Sequence, residues 1–391
     1  MKPISSRRNF LAAGLALPAA GLATTSSRPA NSSTAAFSPS KETAKGFEYR
    51  ILGKTGLKVT SVGFGCMVTS DASVVEKAAD IGITYFDTAR VYQQGNNERM
   101  VGAALKGKRN KLTLSSKSVA KTRAEALEHL DTSLKELGTD HLDIWYLHSK
   151  SKPEEVTDDL MEAQEMAKRQ GKIRFAGISM HSGQAGVFPV VLRHKDHFDV
   201  VLTSYNFAME GMDALIQSLA DAKLGIVAMK VMAGGSRRIK PGEKAGEILK
   251  KDGAMLAALK WAIKNKNVNT SVPGITDMDQ LDENLKAMSN PFTAGDGRLL
   301  SARLNEIGPT FCRMCGECDG SCPKNLPVAD VLRFLMYAEG YGEFSLGREH
   351  FLQLSSAVKE VRCNACPTCT VECKYGVRVA ERMIRAQELL A

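Results

Sequence analysis

Between about Phe47 and Asn290, short apolar segments alternate with amphipathic ones eight times, an order that few folds accommodate. The strand candidates are Val62–Cys66, Tyr85–Asp87, Leu112–Ser116, Ile144–His148, Phe175–Ser179, Val200–Ser204, Ile226–Lys230 and Thr270–Val272. Helical periodicity marks the stretches between them, among them Ser73–Ile81, Arg123–Leu137, Glu155–Gln170 and Gly253–Lys264. Eight β-then-α units in about 240 residues predict an α/β fold, the TIM (β/α)8 barrel. A doubly wound sheet is disfavoured because no G-x-G-x-x-G opens the first helix. Barrel chemistry sits at the C-terminal ends of the strands. The polar residues at those ends are Asp87, Lys117, His148, Ser179 and Lys230, with Tyr92 shortly after Asp87. One such residue is ordinary; a Tyr, Lys, Asp and His at one barrel mouth make a proton-transfer site.

A second constraint lies beyond the barrel. Cys312, Cys315, Cys318 and Cys322 are spaced x2, x2, x3 and followed by Pro323, and Cys363, Cys366, Cys369 and Cys373 repeat the spacing. This run ligates [4Fe–4S] clusters in bacterial two-cluster ferredoxins, where the fourth cysteine of each run serves the other cluster. By that rule Cys312, Cys315, Cys318 and Cys373 hold one cluster, and Cys363, Cys366, Cys369 and Cys322 the other. Structural zinc sites instead use separated cysteine pairs. Disulfides remain open to an even set of eight. Some forty residues separate the runs, and Val328–Tyr341 and Arg378–Leu390 have helical periodicity. Residues 296–391 therefore resemble a small, mostly α-helical dicluster ferredoxin. The second run departs from the pattern, with Pro367 inside it and Lys374 after it. Cys66, the ninth cysteine, reads as a small buried residue near the site.

The N-terminus reads as an address. Ser6-Arg7-Arg8-Asn9-Phe10-Leu11 is a twin-arginine pattern, an apolar stretch follows to Ala23, and no acid precedes Glu42. Residues 1–27 are expected to be a signal for export of folded protein to the periplasm, and 28–46 a disordered linker. The apolar stretch is short for a membrane span. The net charge is +9, and Lys2, Arg7 and Arg8 of it lie in the expected signal with Arg28 at its edge, so nucleic-acid binding is not indicated.

Residues 47–295 resemble one family in particular. Phe86-Asp87-Thr88-Ala89-Arg90-Val91-Tyr92, Asn97-Glu98 and Val101-Gly102 are similar to the aldo-keto reductase signature. So are Leu114-Ser115-Ser116-Lys117, Leu142 to His148, Gly171 to Ser179, and Pro273-Gly274 with Gln280 and Glu283-Asn284. The resemblance implies a catalytic tetrad of Asp87, Tyr92, Lys117 and His148. Tyr92 would donate the proton to a carbonyl oxygen, Lys117 would make its phenol easier to ionise, Asp87 would hold Lys117, and His148 would orient the carbonyl. It also implies nicotinamide-nucleotide contacts at Ser179, Lys230, Gln280 and Asn284. Departures are visible: Met180 replaces an Asn, Leu202 a Gln, and Met229 an aromatic residue. Gly274-Ile275-Thr276-Asp277 lacks the basic residue that meets a 2′-phosphate, which favours NAD over NADP.

Two functions are expected to compete. One is an exported oxidoreductase acting on a small carbonyl or alcohol substrate, with a retained nicotinamide, two clusters and an external redox protein partner. The other is a non-catalytic barrel in an electron-transfer or redox-sensing subunit. Met209–Asp213 and Ala233–Ala245 are the loops expected to set substrate choice.

Overall fold

The computed structural model describes residues 46–234 and 253–391. The expected signal, linker and most of the loop Ala233–Ala245 lie outside the described residues. An antiparallel hairpin comes first, β1 (Tyr49–Ile51) with β2 (Lys58–Thr60). Eight parallel strands follow: β3 (Phe64–Gly65), β4 (Tyr85–Asp87), β5 (Thr113–Ser118), β6 (Leu142–Leu147), β7 (Ile173–Met180), β8 (Val200–Ser204), β9 (Gly225–Met229) and β10 (Thr270–Ser271). They pair in sequence order, and parallel bridges from Val62 to Ser271 and from Gly65 to Gly274 close the sheet into the predicted barrel. At this seam the strands are shorter than expected. A Cβ on Gly65 would stand 2.6 Å from the Val272 carbonyl oxygen, so the closure needs a residue without a side chain.

Helices pack outside the strands: α1 (Ala72–Asp80), α2 (Asn96–Ala104), α3 (Arg123–Leu137), α4 (Asp158–Arg169), α5 (Gln184–Arg193), α6 (Met212–Asp221), α7 (Ala254–Lys264) and α8 (Met278–Ser289). Local chemistry sets their starts. Asp71, Thr122, Thr157 and Asp277 each accept a backbone N–H of the first turn of α1, α3, α4 and α8. The stretch expected to be helical from Glu155 begins only at Asp158, because Thr157 caps it there. Two apolar layers result. One lies between strands and helices; the other fills the barrel interior with Tyr85, Ile144, Tyr146, Leu202, Val227 and Val272. Leu52 and Val59 of the hairpin are fully buried in that interior layer, which the sequence reading did not anticipate.

Five further helices complete the chain: α9 (Ala294–Ile307), α10 (Val328–Glu339), α11 (Phe344–Leu352), α12 (Ser356–Glu360) and α13 (Val379–Leu390). They share a core of their own, which includes Val331, Leu335, Phe351, Met383 and Leu390 and reaches the barrel at Ala208 and Ala233. A Cβ on Gly340 would lie 2.3 Å from the Gly234 carbonyl oxygen, so two backbones meet directly where α10 ends against the loop after β9. Among the described residues no helix is long and apolar enough to cross a membrane.

Candidate active site

The loop after β4 carries the site's first residues. Arg90 donates to the fully buried Glu98 carboxylate, which also accepts Ser116 Oγ at 2.6 Å. Asn97 Nδ2 donates to the Cys66 carbonyl at 2.8 Å and its Oδ1 accepts Thr88 Oγ1 at 2.7 Å. Gln93 and Gln94 have positive φ of 49° and 55°, and Gln93 Nε2 donates to the Thr69 carbonyl at 2.8 Å. The Asn-Glu pair of the signature is thus a clamp on the loop that presents Tyr92.

All four tetrad candidates meet at the barrel mouth. Lys117 Nζ donates to Asp87 Oδ2 at 2.6 Å, to the Thr88 carbonyl at 2.5 Å and to Tyr92 Oη at 3.3 Å. Ser115 Oγ donates to Asp87 Oδ1 at 2.7 Å. The Tyr92 and His148 rings meet edge to face with centroids 5.9 Å apart. Lys117 is 1% exposed and Tyr92 8%. Burial lowers the Lys117 pKa, although Asp87 opposes it. Burial drives His148 well below the usual histidine range, Lys117 and His350 adding to it, so the imidazole is neutral. Tyr92 departs from expectation. Burial, then Asp87, pushes its phenol well above the ordinary value. Lys117 Nζ is closer to Asp87, at 2.6 Å, than to Tyr92 Oη, at 3.3 Å.

Beside the tetrad is a cavity of about 110 Å³. Its wall includes Asp87, Tyr92, His181, Met229, Lys230 and Gln280. Of the expected nucleotide contacts, Lys230 and Gln280 reach this cavity. Gln280 Oε1 accepts the Thr276 N–H at 3.1 Å and its Nε2 donates to Asp277 at 2.8 Å. Ser179 Oγ accepts the Ser149 N–H at 3.0 Å, a bond that shapes the turn after β6. Asn284 is buried on α8. Residues missed from sequence come from the C-terminal helices: Tyr341 and Glu343 line the same cavity, and Arg333, Tyr337 and His350 stand behind it. Asp330, Arg333 and Tyr337 recur at helical spacing on α10, a polar stripe in an otherwise apolar helix that was the available signal.

The cysteines group across the two runs. Cys312, Cys315, Cys318 and Cys373 line one cavity of about 290 Å³, and the Met314 N–H donates to Cys312 Sγ at 3.4 Å. Cys363 faces Cys322, Cys366 and Cys369 electrostatically. All eight are free thiols, which removes the disulfide reading. Burial pushes Cys312 up to about 12, and Cys318 and Cys363 up to about 11. Among the described residues no three His, Cys, Asp or Glu side chains converge as a single metal ion requires. The thiols of the first group line an open space. Leu332 of α10 lines that space, one residue from Arg333 on the barrel side.

Comparison with known proteins points the same way for the barrel. The model of the aldo/keto reductase family matches residues 67–302. YqkF, an uncharacterized oxidoreductase of Bacillus subtilis, is 25% identical over 61% of this chain and 90% of its own. L-glyceraldehyde 3-phosphate reductase of Escherichia coli O157:H7 is 26% identical over 62% of this chain and 88% of its own. The solved structure of the aldo-keto reductase AKR11C1 from Bacillus halodurans, in its holo form, superposes with a TM-score of 0.57 at 26% identity, covering 66% of this chain and 96% of that one.

Proposed function

For a chain that belongs to the aldo/keto reductase family, we propose a periplasmic oxidoreductase that moves hydride between a small carbonyl or alcohol and a retained nicotinamide nucleotide, with two [4Fe–4S] clusters relaying electrons to a redox protein partner. The oxidoreductase activity class follows from the family. A bound nicotinamide would supply or take the hydride at the carbonyl carbon; oxidising that hydride to a proton and two electrons, one for each of two clusters, would need a further one-electron carrier, which the sequence does not show.

The chain's own residues perform the proton work. Tyr92, held neutral, donates its hydroxyl proton to the carbonyl oxygen in reduction and takes it back in oxidation. Lys117 stands 3.3 Å behind that hydroxyl and stabilises negative charge arriving on it. Asp87 and Ser115 hold Lys117 in line, and neutral His148 offers an N–H to the substrate oxygen. The Glu98–Arg90 clamp keeps Tyr92 on station. For the nucleotide, Lys230 and Gln280 line the cavity. Asp277 caps α8 between Thr276 and Gln280 of the cavity wall, and an acid rather than a base at this turn is the reason for preferring NAD.

The observation that carries the electron-transfer part is the placement of α10. Its Leu332 borders the Cys312, Cys315, Cys318 and Cys373 cavity, while Arg333 and Tyr337 of the same helix back the barrel mouth. The same helix therefore borders the thiol-lined cavity on one side and, through Tyr337, holds Lys230 of the barrel cavity on the other. The test uses Tyr92→Phe in anaerobically purified, cluster-replete protein. Substrate-driven cluster reduction, read by electron paramagnetic resonance, should fall at least about 100-fold while dithionite still reduces the clusters. Unchanged substrate-driven reduction would favour the non-catalytic barrel.

A further inference from the structure

Two cations are buried behind the cavity, and their counter-charges do not match. Arg333 is 8% exposed and Lys230 9%. Arg333 Nη2 donates to Asp330 at 2.7 Å. Lys230 has no carboxylate within 4.0 Å among the described residues; its one hydrogen bond runs to Tyr337 Oη at 3.1 Å. Arg333 Nη1 donates to the same oxygen, also at 3.1 Å. Tyr337 is 1% exposed, and its own O–H finds no acceptor among the described residues. Burial lowers the Lys230 pKa and Tyr337 opposes that; where Lys230 keeps its charge, a phenol accepting both N–H donors lacks an acceptor among them for its own proton, and a phenolate in the same place is satisfied by both.

Charge counting agrees. At contact distance, Lys117 is matched by Asp87 and Arg333 by Asp330, whereas Lys230 has no carboxylate at that distance among the described residues, Glu343 standing elsewhere on the cavity wall. The other titratable groups facing Tyr337 are Tyr341, with ring centroids 5.7 Å apart, His350 at 5.6 Å, and Glu343, Tyr92 and His181 across the cavity. His181 and His350 are neutral, burial holding both low. Ionising Tyr337 closes the Lys230 deficit.

We propose that Tyr337 is a resident phenolate: a positioning residue, delivered by α10, that fixes the Lys230 ammonium at the cavity wall and keeps Tyr92 in its proton-donating form. The second role rests on the function proposed above; the first does not. Lys230 and Arg333 outweigh burial and pull the Tyr337 phenol below its ordinary value, whereas Tyr92 lies above its own, with Tyr337 among the causes. Two tyrosines at one mouth with opposite shifts divide into a proton donor and a fixed negative charge.

The first role is read without turnover, from near-ultraviolet difference spectra of cluster-replete protein at about pH 8, where an ordinary tyrosine is still a phenol. Wild type minus Tyr337→Phe should show one tyrosinate per chain, and Lys230→Met should lose the same band. A difference spectrum showing only a phenol, or a band that Lys230→Met leaves in place, overturns the phenolate. The second role is read from the alkaline limb of the pH–rate profile. Tyr337→Phe should move it to lower pH by about one to two units, because the cations then ease Tyr92 ionisation. An unmoved limb in an active Tyr337→Phe enzyme overturns the second role while leaving the first to the spectra.

Discussion

The Asp87–Lys117 pair can be tested as an energetic unit. Asp87 is 4% exposed and Lys117 1%, and their contact is 2.6 Å. In water such a pair is worth little; here neither charge has solvent to fall back on. Asp87→Asn strands a buried ammonium, and Lys117→Met strands a buried carboxylate whose remaining side-chain partner is Ser115 at 2.7 Å. Each should cost about 3–5 kcal/mol. The double variant Asp87→Asn/Lys117→Met leaves no unpaired charge and should cost less than the sum of the single effects by about 2–3 kcal/mol. Urea unfolding followed by tryptophan fluorescence isolates the barrel, since the two tryptophans of the chain, Trp145 and Trp261, lie on β6 and α7. Additive single effects, or singles below about 1 kcal/mol, would show that solvent reaches the pair and refute the picture of a sealed, neutralised Lys117.

Other outcomes follow from the same structure. Burial depresses His148, His181 and His350, so the unfolded chain binds more protons than the folded one below about pH 6.5. Stability should be full above that pH and fall below it by up to about 1.4 kcal/mol per unit for each histidine, and His350→Gln should flatten the slope measured by urea denaturation. Gly340→Ala should push α10 away from the Gly234 carbonyl oxygen, cost about 1–3 kcal/mol and speed proteolytic release of the C-terminal helices, followed by gel electrophoresis. Cys373→Ser should remove the cluster held with Cys312, Cys315 and Cys318 and spare the other, halving iron per chain by elemental analysis; loss through Cys363, Cys366 and Cys369 instead would refute the crossed pairing.

The barrel was legible because its periodicity is local: Val200–Ser204 and Arg123–Leu137 read identically in sequence and structure. The tetrad was legible because strand ends converge in this fold, so Asp87, Lys117 and His148 had to meet. Less visible was anything set by long-range packing. The hairpin bearing Leu52 and Val59 is too short for a periodic signal, and its role emerges only from what it covers. The pairing of Asp87 with Lys117 was expected from the strand ends, whereas the burial that raises the Tyr92 phenol depends on packing that spacing does not reveal. Lys230 was read as a nucleotide contact; its partner, Tyr337, lies 107 positions along the chain. That Cys373 lies beside Cys312, Cys315 and Cys318 is what the spacing rule for crossed runs leads one to expect, while ligation itself is a proposal.

The most direct test of the proposed function is the identity of any nucleotide the protein retains. Protein isolated without oxygen with its clusters intact, then denatured, should release about one nicotinamide nucleotide per chain by mass spectrometry, with NAD expected from the Asp277 cap. Cluster-replete protein that releases none, and takes up none when NAD or NADP is added, would contradict a hydride-transferring barrel wired to iron–sulfur clusters.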